Sequence, residues 1–559
     1  MWKRILILLG IISATVFAIL IFLVTRTFNQ LNNGNFPEAR ETALKCLYII
    51  EPLSKITFSN NTDLELFKNS LYLISDIPSY TDTLISASNL NHKNNYIFDI
   101  SGLKITLIDL EQKIQIIDNQ INQSKIANKI ISEEKLQKFH QFSESLPDMI
   151  KFLDSFSNQD QKIIIVFQNS DEIRATGGFM GSYAVLDIVN GKVTEIVTED
   201  IYDADGQFEG FIEAPSGVKE YLSDSKGLRL PNANWNPDFP TSAEQILQFF
   251  ALGNKKNVTT LIAVNPDYAK LILSITGRIT LKDYNTIVDR NNITEVLRSR
   301  RGTFFPGSTE KKHILSQLLT QLQIKISNLD EKSKINILQE TINQFAYNNI
   351  QLYSNVDEID KIFSKYSFRQ ELGFKKNADY LFLVESNVGI NKANKNITRE
   401  VFIDKKNNET LITVNFKNNN LSPMISNLSE LMGDEIENVN ESNNSNKANH
   451  LGYVNYQRIF LKQEQNLEYI KYNDSLIVDW HETTIKNSKN EEFKEIGFII
   501  TLMEQENSVL EIYLTNNQQN ENQIYIQKQP GLPATPYTIK KDSFITQFLL
   551  EQNSLINLQ

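Results

Sequence analysis

Phe167-Gln-Asn-Ser-Asp-Glu-Ile-Arg-Ala-Thr-Gly-Gly-Phe-Met-Gly-Ser182 lies between two apolar runs, Ile163 to Val166 and Tyr183 to Val189. The first run is β-branched and reads as a strand buried on both faces. The second is followed by Asn190-Gly191 and then Val193 to Val197, a pattern that predicts a hairpin. Between strand and hairpin stand Arg174 and the glycines Gly177, Gly178 and Gly181. Glycine reaches positive φ and lets other backbone approach closely. Such a turn can hold an anion, because a guanidinium fork matches phosphate oxygens and turn N–H groups add donors. The competing reading makes Arg174 an ion pair with Glu172 or Asp238 that pins the turn.

Working outward from this turn, strands alternate with helices. Leu261-Ile-Ala-Val264 reads as another buried strand. Pro266 to Leu273 reads as a helix ended by Gly277. Thr241-Ser242-Ala-Glu244 opens a helix near Ser242. Helical pattern continues through Lys312 to Leu322, Ser333 to Tyr347 and Ser354 to Lys365. These elements predict a central α/β domain over residues 159–376.

Residues 37–157 have a helical pattern. Leu103, Leu107, Leu110, Ile114, Ile117 and Ile121 form an apolar stripe among Lys, Asp, Glu and Gln, and residues 27–158 are expected to be a helical stalk or bundle. After residue 378 the chain turns strand-rich. Tyr380 to Val384, Glu400 to Ile403, Leu411 to Phe416, Tyr456 to Leu461, Ser475 to Trp480, Glu495 to Leu502, Val509 to Leu514 and Gln523 to Gln527 are spaced as in a β-sandwich. That domain is expected over residues 377–540, with a tail at 541–559. The insert Glu437 to Asn449 is rich in Asn and Ser and reads as a mobile loop.

A chain of 559 residues exceeds one ordinary domain, and 41% hydrophobic content is enough for more than one core. The net charge of −11 argues against nucleic-acid binding. Cys46 is the single cysteine, so neither an intramolecular disulfide nor a cysteine metal cluster can form. Lys3 and Arg4 precede an apolar run, Ile5 to Val24, long enough to cross a bilayer as a helix. No small-x-small cleavage pattern follows it. Residues 1–26 are therefore expected to be an uncleaved signal anchor, with the basic end cytoplasmic and the bulk of the chain outside. The fold class is an α+β multidomain chain: transmembrane helix, helical stalk, central α/β sandwich and C-terminal β-sandwich.

Four segments carry a resemblance. The opening stretch, Glu199-Asp-Ile-Tyr-Asp-Ala-Asp205, Asn234-Trp-Asn-Pro-Asp-Phe-Pro-Thr-Ser242 and Ile262-Ala-Val-Asn-Pro266 resemble a bacterial membrane-anchored family classed as a domain of unknown function. Gln527-Lys-Gln-Pro-Gly531 resembles that family's C-terminal extension. More distantly, Val258 to Gly277 is similar to the strand–helix–Gly unit of the LytR-CpsA-Psr phosphotransferases. Glu295-Val-Leu-Arg-Ser-Arg-Arg301 followed by Glu310-Lys-Lys312 is similar to their arginine-bearing segment. That family moves glycopolymers from polyprenyl-pyrophosphate carriers onto peptidoglycan, with arginines on the pyrophosphate and an aspartate on magnesium. This chain departs from it at Phe179-Met-Gly-Ser182 and Glu199-Asp-Ile-Tyr-Asp203, where charged residues of the family pattern are replaced.

The resemblance makes Arg174, Arg298, Arg300, Arg301 and Lys312 candidates for binding a pyrophosphate-like anion. The bland alternatives are a pinned turn and a solvated helix end. Asp200 and Asp203 are the candidates for Mg2+, against a loop satisfied by backbone N–H groups. Trp235, Asp238 and Phe239 sit in a rigid stretch with two prolines, suited to the wall of a glycan or lipid cleft or to core packing. The histidines show no ligand spacing, and no Walker loop, nucleophile elbow or paired-histidine motif occurs. Two functions follow as expectations. One is a divergent phosphotransferase-like domain at the bacterial cell membrane, acting on a polyprenyl-phosphate-linked envelope glycan. The other is a noncatalytic envelope protein that binds partners or glycan.

Overall fold

The computed structural model describes residues 19–57 (without 28, 32 and 34), 62–87, 98–157, 160–223, 225–296, 309–421, 452–516 and 522–558. Most of the Ile5–Val24 run, together with Arg298, Arg300, Arg301 and the Glu437–Asn449 insert, lies outside the described residues. Among the described residues no helix is long and apolar enough to cross a membrane.

The chain forms two compact units. The first takes the described residues up to Gln161 with Leu186–Ile196 and Leu318–Gln339. Its helices are α1 (Phe36–Thr57), α2 (Thr62–Ala87), α3 (Ile100–Gln123) and α4 (Glu133–Ser155), each packed on the next available neighbour. Ala43, Cys46, Leu47 and Ile50 of α1 are buried with Leu71 of α2. The 3–4 spacing expected for α3 holds in three dimensions: Ile114, Ile117 and Ile121 are buried. Its N-terminus is capped by Asp99, whose carboxylate accepts the Gly102 N–H at 2.9 Å. Burial pushes the Cys46 thiol above its ordinary pKa.

The second unit takes Lys162–Val185, Val197–Gln317 and Glu340–Gln559. Its α/β part contains β2 (Gln161–Asn169), β3 (Phe179–Val189), β4 (Lys192–Asp200), β5 (Val258–Val264) and β8 (Ile350–Ser354), in the order β4-β3-β2-β5-β8. A short hairpin of β6 (Ile279–Leu281) and β7 (Thr286–Val288) stands apart. The turn between β3 and β4 has Asn190 at φ 51° and Gly191 at φ 69°, the left-handed pair that an Asn-Gly hairpin needs. On the first unit's side, β1 (Phe98–Asp99) pairs with the turn end of β4, Phe98 opposite Val193. β2 and β5 are parallel, β5 and β8 antiparallel.

Its helices are α5 (Ile201–Asp205), α6 (Phe239–Leu252), α7 (Pro266–Thr276), α8 (Thr309–Ser327), α9 (Glu331–Ala346) and α10 (Asp357–Lys365), with parts of α8 and α9 in the first unit. Ile246, Phe249 and Phe250 of α6 pack on Ile164, Val166 and Leu261 of the sheet. Burying large apolar side chains of this kind contributes roughly 1.5–3 kcal/mol each.

The C-terminal part is a sandwich of two sheets. Its strands are β9 (Asp379–Asn387), β10 (Ile397–Lys406), β11 (Glu409–Asn418), β12 (Tyr453–Leu461), β13 (Gln465–Tyr472), β14 (Ser475–Ile477) and β15 (His481–Lys486). They continue with β16 (Glu492–Leu502), β17 (Asn507–Asn516), β18 (Gln523–Gln527), β19 (Thr535–Lys541), β20 (Phe544–Leu550) and β21 (Ser554–Asn557). One sheet runs β14-β13-β17-β11-β10-β19-β20, the other β15-β16-β12-β9-β18-β21. Ile403, Ile412, Ile459, Ile496 and Ile512 lie in the core between them.

Several expectations need correction. The helix expected near Ser242 starts at Phe239, because Asp238 caps it and Pro240 occupies its first turn. Ser354, expected to open a helix, ends a strand over Ile350–Ser354, and the helix begins at Asp357. Residues 541–559, expected to be a tail, carry β20 and β21.

Candidate functional site

Among the candidate residues, Arg174 lies in the glycine turn after β2. Residues 170–172 make a short 3-10 turn, and Ile173 to Gly178 then cross to β3. Gly177 has φ 130° and Gly178 has φ 144°, both costly for any side chain. A Cβ at Gly178 would lie 2.3 Å from the Asn169 carbonyl carbon. The turn is met from the sandwich by Gly531, at φ 78°, where an added Cβ would lie 2.2 Å from the Gly177 carbonyl oxygen. The two quoted segments, the glycine turn and Gln527-Lys-Gln-Pro-Gly531, are thus in backbone contact.

Arg174 is 1% exposed. Its Nη1 donates to the Asn387 carbonyl at 2.6 Å and to the Ile173 carbonyl at 3.0 Å, and its Nη2 to Glu172 Oε1 at 3.2 Å. Its Nε has no hydrogen-bond partner. Burial pushes the guanidinium below its ordinary pKa, and Glu172 pulls the other way. Asn387 ends β9, so the arginine links the turn to the sandwich. Glu172, not Asp238, is the carboxylate that pairs with Arg174. In this conformation the fork faces protein atoms and not a solvent-borne anion.

Amide side chains complete the joint. Gln168 Nε2 donates to Thr176 Oγ1 at 2.7 Å, and Asn234 Nδ2 to Thr176 Oγ1 and the Gly178 carbonyl at 3.0 and 2.8 Å. Gln351 Nε2 donates to the Thr176 carbonyl at 2.7 Å. From the sandwich, Gln529 donates to the Arg174 and Glu385 carbonyls at 3.1 and 2.8 Å and accepts the Glu385 N–H at 2.7 Å. These bonds hold the turn to β2, β8 and the sandwich, while Asn234 Oδ1 and Gln351 Oε1 have no hydrogen-bond partner.

The cleft candidates belong to the same seam. Trp235 is 3% exposed, its ring lies under the Arg458 guanidinium at 4.5 Å, and its carbonyl accepts from Arg458 at 2.8 Å. Phe239 is in the core. Asp238 accepts from the Thr241 hydroxyl at 2.6 Å, the Leu372 N–H at 3.0 Å and the Ser488 N–H at 3.0 Å. Burial pushes its carboxyl above the ordinary range, and these donors pull it back. One carboxylate therefore caps α6 and ties it to two other stretches of the unit.

Asp200 and Asp203 form a capping box on α5. Asp200 accepts the Tyr202 N–H at 3.1 Å, and Asp203 accepts the Asp200 N–H at 3.2 Å. Glu199 pairs with Lys255 at 2.6 Å, and Asp205 with Arg229 at 3.2 Å. Among the described residues no group of three or more His, Cys, Asp or Glu is placed to hold a metal. Arg298, Arg300 and Arg301 lie outside the described residues, as does the side chain of Lys312 in α8.

A second polar cluster was not anticipated from sequence. Within the sandwich, Glu385, Arg399, Gln457, Lys528 and Tyr537 line a cavity of about 30 Å³, room for one or two water molecules. That is far below the roughly 300–1,000 Å³ of a ligand pocket. Arg399 holds Glu385 through its Nη2 at 2.7 Å, and Tyr453 donates to the same carboxylate at 2.5 Å. Lys528 donates to the Leu532 carbonyl at 2.7 Å, and burial lowers its amine from 10.5 to about 8, with Asp267 and Glu551 pulling upward. The available signal was charged residues at inward positions of alternating strands, such as Arg399 in β10.

Comparison with known proteins is sparse. No curated protein matches the chain. A solved structure, the Lin1025 protein from Listeria innocua, aligns over 40% of this chain and 85% of its own at 10% identity and a TM-score of 0.20, too low to carry any argument. Residues 158–301 match the model of a family described as a protein of unknown function, DUF4012, and the glycine turn, the Trp235 stretch and α7 all lie within the matched stretch.

Proposed function

We propose that this chain is a noncatalytic structural or partner-binding protein of the bacterial cell envelope, tethered by Ile5 to Val24 with its bulk outside the cytoplasm. What supports this reading is one observation: Arg174, Trp235 and Asp238 are hydrogen-bonded to other stretches of this chain and Phe239 is packed in the core. A guanidinium already held by a buried carboxylate and two carbonyls would have to break those bonds to take a phosphate.

A second reading, a polyprenyl-phosphate-linked or other anionic envelope glycan as ligand, is favoured by Arg298, Arg300 and Arg301 on a chain of net charge −11. Its enzymatic form follows the similarity to LytR-CpsA-Psr phosphotransferases, with Mg2+ on Asp200 or Asp203. The test is lipid mass spectrometry on the full-length chain extracted in detergent, beside a variant with Arg298, Arg300 and Arg301 all changed to Ala. The first reading expects equal, background levels of polyprenyl phosphate in both. Enrichment in the wild type that the triple variant loses would overturn it in favour of the second.

A further inference from the structure

At one end of the sandwich a single carboxylate touches both an amine and an amide. Asp379 opens β9 in one sheet, and its Oδ2 is paired with the Nζ of Lys405, near the end of β10 in the facing sheet. The side chains of Lys405 and Asp379 are 3% and 8% exposed. The other oxygen, Oδ1, accepts a hydrogen bond at 2.8 Å from Nδ2 of Asn516, the last residue of β17. The amine and the amide therefore sit on the two oxygens of one carboxylate. The amine is buried and the amide half-buried, and both are held on one carboxylate by the strands that carry them, an arrangement that replaces a bimolecular encounter.

We propose that Lys405, Asp379 and Asn516 form a self-crosslinking site, in which an amide bond joins Lys405 Nζ to Asn516 Cγ. The Lys405 ammonium passes one proton to the Asp379 carboxylate it touches. The neutral amine attacks Asn516 Cγ, forming the new C–N bond. Asp379 delivers its proton to Nδ2, the nitrogen it already faces, and the old C–N bond breaks. The attacking nitrogen keeps one hydrogen; its other proton leaves through the same carboxylate. Ammonia is released, Asp379 ends as it began, and no oxidant or further reactant is needed. Asp379 is the catalytic residue, since it contacts both reacting nitrogens. In the sheet β11 lies between β10 and β17, so the bond would staple two strands that are not neighbours. This site is independent of any ligand at the glycine turn.

The test is intact-mass spectrometry of the full-length chain with peptide mapping. The wild type is expected to weigh less than its sequence by one molecule of ammonia and to yield a branched peptide joining Lys405 to Asn516. Lys405→Arg and Asn516→Ala are expected to show the full sequence mass. Asp379→Asn keeps both reactants and is also expected to show the full mass, with folding checked by circular dichroism. A folded wild type at full mass would overturn the proposal. So would an ammonia loss mapped to a succinimide on Asn516 without a branch, or a water loss with Lys405 joined to Asp379.

Discussion

Two regions of this molecule hold a basic side chain against carboxylates, and the surroundings set what each pair does. In the helical unit Lys113 of α3 lies 3.0 Å from Asp76 of α2 and 2.6 Å from Asp109, with 34% of its side chain exposed. Water competes for every partner there, and such pairs contribute little. At the glycine turn Arg174 meets Glu172 with 1% and 4% of the two side chains exposed. No solvent is available to either group, so removing one partner strands the other. The first pair decorates a packing already specified by apolar spacing. The second fixes how a strand-turn of the α/β part meets the sandwich.

The largest effect expected from this contrast is Glu172→Ala, which leaves Arg174 buried with two carbonyls and no counter-charge. Denaturant unfolding should show a loss of roughly 3–5 kcal/mol. A loss no greater than at an exposed pair would erase the distinction.

Lys528 sharpens it through pH. Below about pH 8 its amine is protonated in the folded and the unfolded chain, and the cost of burying the charge is fully present. Between about 8 and the ordinary 10.5 only the unfolded chain keeps the proton. Stability should therefore rise with pH across that window, by up to about 3 kcal/mol. Comparing unfolding of the wild type and Lys528→Met at several pH values checks this; the variant should lack that part of the slope.

At the small end, Lys113→Ala should cost less than about 1 kcal/mol, a loss that shrinks further in high salt. Asp109, held low by hydrogen bonds from Lys113 and Tyr80, should titrate closer to the ordinary carboxylate range in that variant, as carboxyl-carbon NMR would report.

What could be read from the sequence follows the same divide. Periodicity located α3, β2, β5 and the β3–β4 hairpin, because each depends on residues a few positions apart. Asn190-Gly191 and Gly277 marked turns for the same local reason. The joint is not local: Gln529 meets the Arg174 carbonyl, and Asp238 meets Ser488, across hundreds of residues. Arg174, Gly177 and Gly178 were visible as unusual residues, yet the sequence could not say whether a ligand or another stretch of the chain faced them. β19 and β20 escaped notice because Lys and Gln interrupt their apolar positions, although β19 buries every second residue and β20 alternates half-buried with exposed ones. For Asp238 the sequence leaves a cleft wall, core packing and an ion pair open, and the Phe239-Pro240 that follows it is the local sign of the helix cap it forms.

The glycine turn and the Gln527–Gly531 stretch form one joint. Gly531→Ala tests it most directly, because the new Cβ would press on the Gly177 carbonyl and the backbone would be strained at positive φ. Hydrogen exchange of the full-length variant, read by mass spectrometry, should show faster exchange in peptides covering residues 163–185 as well as in those around 531. Faster exchange confined to the peptides around 531, with the turn as protected as in the wild type, would mean that the two segments do not form one joint.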